Sequence, residues 1–180
     1  MAETTFPEFV PPLMANSAEK PFYSLDFIFE IRLDGYRAIT VFDVAGKPHL
    51  WSRNGLPLEQ KFAAIAKAVS KLKLRSTVLY GEIVAMDENG IPRFQLLQGF
   101  QKQPTAPTLY YVFDVLWTDG TDVTGKTILE RRARLEKILK ATIKKRETKH
   151  LIPRVVGEAF LLQPVLDVRA KKFSGVGKVE

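Results

Sequence analysis

The sequence contains no cysteine and only two histidines, His49 and His150, among its 180 residues. The absence of cysteine excludes disulfide bonds, thiolate metal sites and a cysteine nucleophile. The two histidines lie far apart in the sequence, which argues against a histidine metal site or a catalytic triad. No stretch reaches the roughly 18 consecutive apolar residues of a membrane span, and the first residues show no basic region followed by an apolar run. These absences predict a cytoplasmic chain without a membrane partner.

Positive charge, by contrast, is in excess. The chain has 27 Lys and Arg against 20 Asp and Glu, which gives a formal net charge of +7 and a pI near 9.6. This balance favours a polyanionic partner such as nucleic acid or a nucleotide phosphate, although a basic protein without such a partner is the alternative. The hydrophobic content of 46% in a chain of this length indicates one globular domain.

Hydrophobic periodicity and turn residues outline the elements. Four prolines make residues 1–26 an extended arm. Residues 27–33 and 36–44 are β-rich and flank the turn dipeptide Asp34-Gly35, which predicts a hairpin. The other predicted elements are strands at 49–52, 77–86 and 108–117, turns at 45–48 and 53–55, and amphipathic helices at 58–72 and 127–141. Strands joined by hairpins with few helices predict an α+β fold built on antiparallel sheets.

Charged residues within apolar segments are the first candidates for a site. A carboxylate is costly to bury without a partner, so Glu82, inside a predicted strand, is expected to face a polar cleft, bind a cation or pair with an arginine. Glu30 lies in a similar run, and for both residues a plain salt bridge is the alternative. Arg37 and Arg53 stand beside turns that contain glycine, where forked guanidinium groups suit phosphates. For Phe113, a core position competes with a stacking role.

Seven segments occur in one order along the chain: PPLMA (11–15), FEIRLDGYRA (29–38), WSRNG (51–55), VLYGEIVAMDENG (78–90), FQLLQ (94–98), YYVFDVLWTDG (110–120) and LERRARLEKIL (129–139). This series resembles the adenylation domain of ATP-dependent DNA ligases, most closely the ligase module of bacterial ligase D proteins. The resemblance covers residues 10–140 and is more specific than any single motif.

The resemblance implies a nucleotidyltransferase core of two antiparallel sheets and flanking helices around an ATP cleft. In such proteins a motif lysine attacks the α-phosphate of ATP, the AMP moves to the 5′-phosphate of nicked DNA, and the 3′-hydroxyl displaces it. The core would occupy residues 27–141, and residues 142–180 would be a degenerate or truncated C-terminal part of the same domain, with no OB-fold. The implied partner is nicked or broken DNA, and a separate chain could supply an OB-fold.

Four of the implied roles concern the nucleotide base and the motif loop. Glu30 would contact the adenine amino group, and Phe113 would stack on the adenine ring. Asp34 and Gly35 would shape the loop that holds position 32. Three more roles concern the sugar, the phosphates and the implied cofactors, ATP and Mg²⁺. Arg37 and Arg53 would contact ribose or phosphate, and Glu82 would contact the ribose or the metal.

The chain departs from the pattern at Arg32, which stands at the position of the lysine nucleophile. A lysine amine can be deprotonated by burial and neighbouring cations. An arginine guanidinium is a much weaker acid than a lysine ammonium and its electrons are delocalised, so it stays protonated. Self-adenylation is therefore expected to be lost. A second departure lies in the C-terminal segment, where Asp167 and Lys178 are only weak counterparts of family motifs. Two classes of function stay open: a DNA ligase, which requires an amine at position 32, and a non-catalytic module that binds ATP, AMP or DNA ends, or its truncated remnant.

Overall fold

The computed structural model describes residues 6–12, 18–20, 29–30, 32–100, 106–142, 159–162 and 165–166; at 29–30, 142, 159–162 and 165–166 it describes the backbone alone. The elements in chain order are β1 (Phe29–Glu30), β2 (Tyr36–Phe42), β3 (Pro48–Ser52), α1 (Ala63–Ser70), β4 (Thr77–Ala85), a 3₁₀ turn (Phe94–Leu97), β5 (Thr108–Thr118), β6 (Thr121–Asp122), α2 (Ile128–Thr142), β7 (Ala159–Leu162) and β8 (Val165–Leu166). This mixture of strands and two helices confirms the α+β class. None of the helices in the described ranges is long and apolar enough to span a membrane.

Most strands belong to one large sheet. Its order is β3-β2-β4-β5-β6, with every neighbouring pair antiparallel, and β7 lies parallel to β5. The two-residue strands β1 and β8 form a separate antiparallel pair. The described residues therefore show one extended, mainly antiparallel sheet, and a second full sheet stays a prediction.

The predicted hairpin around Asp34-Gly35 is wrong. Strand β1 pairs with β8, while β2 lies between β3 and β4. Gly35 is needed for a close backbone approach instead of a two-residue turn: a Cβ built on it would lie 2.2 Å from the carbonyl oxygen of Ile83 in β4. Position 35 therefore requires glycine because of its contact with β4, and not because of a turn.

Helix α1 begins later than the periodicity predicts because the residues before it are tied to β3. The backbone N–H of Leu58 donates to the carbonyl of Leu50 at 2.8 Å, and the N–H of Leu50 donates to the Glu59 carboxylate at 2.8 Å. These bonds hold residues 58 and 59 beside β3, and the Phe62 N–H donates to the Leu58 carbonyl at 2.9 Å, so a single α-turn precedes the helix. The apolar positions of 58–62 still point into the core, where Leu58 and Phe62 are buried.

The two faces of the large sheet are covered differently. One face carries Phe42, Leu79 and Ile83 and packs against α1 and α2. The opposite face carries Ile39, Val41, Val78, Leu116 and Trp117, with partly buried residues of the N-terminal segment packed against it. In that segment the ring of Phe6 meets Trp117 edge-on at 5.6 Å, and the ring of Phe9 meets Trp51 edge-on at 6.4 Å. Residues 6–12 contain no helix or strand, and the division at 26 and 141 stays a prediction.

Candidate functional site

Four side chains meet on the face of the sheet that the N-terminal segment covers only in part. Arg37 begins β2 and stands directly opposite Glu82 of β4 in the strand register. Tyr80 lies two residues before Glu82, so both project from the same face of β4. Phe113 comes from β5, the neighbour of β4. The antiparallel order β2-β4-β5 thus brings together side chains that are up to 76 residues apart in sequence.

The guanidinium group of Arg37 is the centre of this cluster. Its Nε donates to Glu82 Oε2 at 2.6 Å, and its Nη1 donates to the Tyr80 hydroxyl at 2.8 Å. Its central carbon lies 5.1 Å from the Tyr80 ring centroid and 5.2 Å from that of Phe113. Both distances fall within the range of cation–π attraction. Arg37 is therefore held by one carboxylate, one hydroxyl and two aromatic rings.

Phe113 reaches the cluster because β5 is irregular at this point. The register pairs Tyr80 with Asp114 and Gly81 with Val112, so Phe113 is the extra residue between two aligned pairs. A β-bulge of this kind redirects a side chain and is common beside active sites. Gly81 permits the close approach, since a Cβ on it would lie 2.2 Å from the carbonyl oxygen of Tyr111. The Phe113 ring then meets the Tyr80 ring edge-on, with centroids 5.0 Å apart.

An ion pair behind the bulge fixes β5 to helix α2. Arg131 donates through Nε to Asp114 Oδ1 at 2.8 Å and through Nη2 to Oδ2 at 2.7 Å. Its Nη1 also donates to the carbonyl of Lys126 at 2.6 Å, and Arg132 donates to the carbonyl of Phe113 at 3.1 Å. The side chains of Arg131 and Asp114 are only 11% and 9% exposed. A bidentate, buried pair therefore holds the residue next to Phe113 in place.

The motif loop lies beside Glu82. The N–H of Gly35 donates to the Glu82 carboxylate, and Asp34 is close enough to influence its charge. Arg32 and Asp34 are exposed. The loop thus presents one cation and one carboxylate to solvent at the edge of the Arg37–Glu82 pair.

The charge of this pair follows from burial and from its neighbours. Burial raises the pKa of the Glu82 carboxyl above its ordinary value, and the Arg37 guanidinium opposes this shift without cancelling it. Burial lowers the pKa of Arg37, but the Glu82 carboxylate and the Tyr80 hydroxyl outweigh it, so the pKa of Arg37 is raised. Arg37 consequently remains cationic at any working pH, while Glu82 is the titratable member of the pair.

Stability is expected to depend on pH through Glu82. The pKa of Glu82 is raised in the native state, so the native state holds the proton more tightly than the unfolded state does. As pH rises from the ordinary pKa of 4.5 through the native pKa, the free energy of unfolding therefore falls. Urea titrations between pH 4 and 7 should show this fall in the parent chain. The Glu82→Gln variant, which cannot ionise there, should lack that step. An equal fall in both proteins would exclude Glu82 as its source.

The other predicted site residues are placed as follows. Arg53 is exposed and begins the turn after β3, and because Ser52 pairs with Ala38, this turn lies at the same end of the sheet as Arg37. The backbone of Glu30 pairs with Val165 in β8, but its side chain lies outside the described atoms, so its contact with adenine stays a prediction. The structure therefore groups Arg37, Glu82 and Phe113 tightly, with Gly35 and Asp34 beside them.

For a divalent metal the described residues offer few ligands. No group of three or more His, Cys, Asp or Glu side chains that could hold an ion occurs among them. Glu82 and Asp34 are the two neighbouring carboxylates at the site, and Glu82 already pairs with Arg37. Mg²⁺ requires about six oxygen ligands and commonly takes several from water and phosphate. The site fits Mg²⁺ only as a companion of a bound phosphate.

Two parts of the site were missed by the sequence reasoning. Tyr80 was not a candidate, although its spacing of two residues from Glu82 within a predicted strand places both on one face. Asp114 was not a candidate either, and the structure buries it against Arg131. Arg131 lies in the motif segment LERRARLEKIL. No local pattern indicates which carboxylate it pairs with, because the ion pair joins α2 to β5.

The chain is similar to proteins of one known family. Residues 12–155 match the family model described as ATP dependent DNA ligase domain. The chain is 36% identical over 138 residues to the multifunctional non-homologous end joining protein LigD of Pseudomonas aeruginosa. The match covers 76% of this chain and 16% of that protein. It is 30% identical over 133 residues to the SPbeta prophage-derived DNA ligase-like protein LigB of Bacillus subtilis, covering 72% of this chain and 47% of that protein.

Solved structures show the same likeness. The ligase domain of Mycobacterium tuberculosis LigD matches with a TM-score of 0.55 and 30% identity, over 64% of this chain and 38% of that one. A mycobacterial DNA ligase D complexed with ATP and MES matches with a TM-score of 0.55 and 30% identity, over 64% and 37%. The chain thus spans less than half the length of each of these relatives.

Proposed function

Because the chain belongs to the ATP-dependent DNA ligase domain family, we propose that its cleft binds ATP or AMP reversibly and no longer performs the covalent step. The observation that carries this proposal is the cluster of Arg37, Tyr80, Glu82 and Phe113 beside a glycine loop. Aromatic rings, a guanidinium and a carboxylate are the groups that recognise a base, a phosphate and a ribose. The DNA ligase function of the relatives supports the choice of ATP.

The nucleotide would be held by residues from three strands and the loop. Phe113 stacks on adenine, and Glu30 accepts a hydrogen bond from the adenine amino group. Arg37 and Arg53 contact the ribose and phosphates from the same end of the sheet. Arg32 adds a positive charge on the exposed loop. These assignments rest on family resemblance together with the positions of the described side chains.

Binding would require Arg37 to change partners. Its guanidinium lies over the Phe113 ring, so an adenine that stacks on this ring competes with the guanidinium for that position. A displaced guanidinium remains charged and becomes available to the phosphates of the same nucleotide. We therefore expect affinity to rise from adenosine to AMP to ATP, because each added phosphate offers Arg37 a replacement partner.

Magnesium would enter with the phosphates. Glu82 supplies a carboxylate ligand once Arg37 has turned to the nucleotide, and phosphate oxygens and water complete the shell. The metal would neutralise phosphate charge in the cleft. The loss of the covalent step follows from position 32, where a guanidinium stands at the place of the family's lysine.

The remaining parts of the domain complete this proposal. Residues 142–180 would be the degenerate end of the same domain, with a second sheet formed around the β1–β8 pair. DNA closure would need an OB-fold from another chain or from sequence beyond these residues. The second candidate function is complete DNA ligation, which the family membership favours and position 32 opposes. In either case the proposed setting is bacterial DNA repair, in the cytoplasm, on nicked or broken DNA.

Titration of ATP with Mg²⁺ tests the proposed site. The Phe113→Ala variant should bind ATP about 10-fold more weakly than the parent, because base–aromatic stacking contributes roughly 1–3 kcal/mol. Isothermal titration calorimetry measures both affinities. Phe94→Ala is the matched control: Phe94 is also half-buried, but it stacks on Tyr36 and packs with the opposite core. Equal affinity of the parent and Phe113→Ala, or no ATP binding by the parent, would refute the nucleotide site.

A further inference from the structure

A second charged region lies away from the cleft. Four exposed cations lie on α1, in the loop before β4 and in the turn between β2 and β3: Lys47, Lys67, Lys73 and Arg75. We call this set the α1 basic surface. Its members come from two chain segments, so their proximity depends on the fold.

Backbone contacts join the two segments. The N–H of Ser76 donates to the carbonyl of Asp43 at 3.0 Å. A Cβ built on Gly46 would lie 3.1 Å from the carbonyl oxygen of Leu74 and 3.2 Å from Cγ of Arg75. Lys47 follows Gly46 directly, so the backbone of the turn between β2 and β3 lies beside Arg75. The two chain segments of the α1 basic surface therefore meet at this point.

Few carboxylates of the described residues lie near this patch. Residues 60–81 contain five Lys or Arg and no Asp or Glu. Two described acids lie near the patch. The Asp43 carboxylate accepts the Lys47 N–H at 2.8 Å and lies 3.6 Å from His49 Nε2. Asp119 precedes Gly120, whose N–H donates to the Ser76 carbonyl. Helix α2 differs, because Lys140 pairs with Glu136 at 3.1 Å and Arg134 lies near Glu130. These cations of α2 therefore have carboxylates close by, whereas the described residues place fewer carboxylates around Lys67, Lys73 and Arg75.

Helix stability explains only part of the patch. Lys67 and Lys71 lie in the last turn and at the C-cap of α1, where cations stabilise the negative helix end. Lys73 and Arg75 lie beyond that turn and gain nothing from it. Lys73 also has φ of 49°, a left-handed conformation that glycine adopts at lower cost. A charged side chain at this position is not explained by the local backbone.

The patch and the nucleotide cleft lie at different places. Arg37 stands at the start of β2, whereas Asp43 follows its end, about 20 Å away at the rise of a strand. Helix α1 packs on the core at the face opposite to the Arg37 cluster. A ligand of the α1 basic surface therefore does not occupy the nucleotide cleft.

We infer that the α1 basic surface binds the phosphate backbone of duplex DNA at a distance from any nick held at the cleft. The chemistry is that of several cations without base-reading groups, which favours sequence-independent phosphate contacts. The inference rests on the proposed function in naming DNA, since an acidic protein or an anionic membrane would also meet a positive surface. The contact adds affinity for the flanking duplex and does not select the break.

A charge-matched pair of triple variants tests the inference. The patch variant carries Lys67→Ala, Lys73→Gly and Arg75→Ala; the control carries Lys126→Ala, Arg134→Ala and Lys137→Ala, which removes the same net charge from exposed positions around α2. Binding to an unnicked 20-base-pair duplex is measured by fluorescence anisotropy from 50 to 200 mM salt. Since each phosphate contact contributes about 0.9 to the slope of log K against log salt, the patch variant should lose roughly 2 to 3 units of slope. Its affinity at 100 mM salt should fall about 10-fold, and the control should stay near the parent.

Other readouts separate the possible failures. The single variant Lys73→Gly should keep or raise the thermal midpoint while weakening DNA binding, because the substitution relieves the left-handed φ. ATP binding should be unchanged in the patch variant, so a failed nucleotide site and a failed DNA surface give different results. Equal slopes for patch and control variants would overturn the inference, as would a loss seen only with nicked duplex. Stronger binding of the patch to vesicles of anionic lipid than to DNA would also overturn it.

Discussion

Incubated with α-labelled ATP and Mg²⁺, the parent chain is expected to acquire no covalent label, whereas the Arg32→Lys variant is expected to acquire it. Formation of a lysyl-AMP needs a neutral amine that attacks the α-phosphate and releases pyrophosphate. The guanidinium of arginine is a much weaker acid than a lysine ammonium, so it stays protonated, and its lone pairs are delocalised. The rate of covalent labelling is therefore expected to differ between the parent and the variant by many orders of magnitude.

The variant is expected to regain the step because the described residues beside position 32 are in place. Arg32 is exposed on the loop, so a shorter lysine chain needs no repacking. Gly35 and Glu82 hold the loop against β4, and Arg37 stays charged beside it. Covalent label is measured after denaturing electrophoresis, and its release by acid or hydroxylamine identifies a phosphoramidate. Arg32→Ala is the control for retained, noncovalent nucleotide.

The three outcomes point to different parts of the protein. Label on the parent would mean that another nucleophile acts or that the assignment of position 32 is wrong. Label on Arg32→Lys alone would mean that the loss of the amine is the sole block to the first step. Label on neither, with ATP binding intact by calorimetry, would move the defect to the C-terminal segment 142–180. Label on the parent, or label on neither protein, would contradict the expected result.

Local sequence patterns predict the large sheet well. Alternating or β-branched residues predict strands at 77–86 and 108–117, and the structure has β4 at Thr77–Ala85 and β5 at Thr108–Thr118. These segments are apolar enough to be buried in any arrangement, so their conformation depends little on their neighbours. The helix predicted at 127–141 is likewise found at Ile128–Thr142.

Patterns that depend on distant partners were predicted less well. The pairing of β1 with β8 joins segments more than a hundred residues apart, and no local signal at Asp34-Gly35 distinguishes it from a hairpin. The position of Phe113 depends on a bulge that is visible only when β4 and β5 are aligned. The structure nevertheless brings together Arg37, Glu82 and Phe113, three residues named from the motif resemblance, because motif order carries the long-range information that periodicity lacks. Their contacts with a nucleotide stay a prediction.

Asp114→Ala is expected to lower the free energy of unfolding by about 3–5 kcal/mol. Removing the carboxylate leaves the Arg131 guanidinium, 11% exposed, without its bidentate partner. The guanidinium then keeps only the Lys126 and Thr124 carbonyls as acceptors and has no counter-ion. A largely buried charge without a counter-ion is the costly state, whereas the pair itself contributes little relative to an apolar replacement. Arg131→Ala should therefore be similarly harmful, and the double variant should lose less than the sum of both. Urea unfolding followed by tryptophan fluorescence measures all four proteins of this cycle.

The exposed pair between Lys140 and Glu136 provides the control. Its side chains are 58% and 44% exposed, so Glu136→Ala should change stability by no more than about 0.5 kcal/mol. If Asp114→Ala is too unstable to purify, Asp114→Asn keeps an oxygen acceptor for Arg131 and gives a measurable intermediate loss. A loss below about 1 kcal/mol for Asp114→Ala would mean that water reaches the guanidinium and that the pair does not fix β5.

The same variants test whether this pair supports the nucleotide cleft. Asp114 follows Phe113 directly, and Arg132 donates to the Phe113 carbonyl, so the bulge that aims the ring is tied to α2 at two adjacent residues. Asp114→Asn should weaken ATP binding at a temperature where the variant is fully folded, since the ring loses its fixed orientation. Unchanged affinity in that folded variant would separate the two roles, leaving the ion pair as a contributor to stability alone. A fall in affinity that parallels the loss of stability across the cycle would instead make α2 a structural part of the binding site.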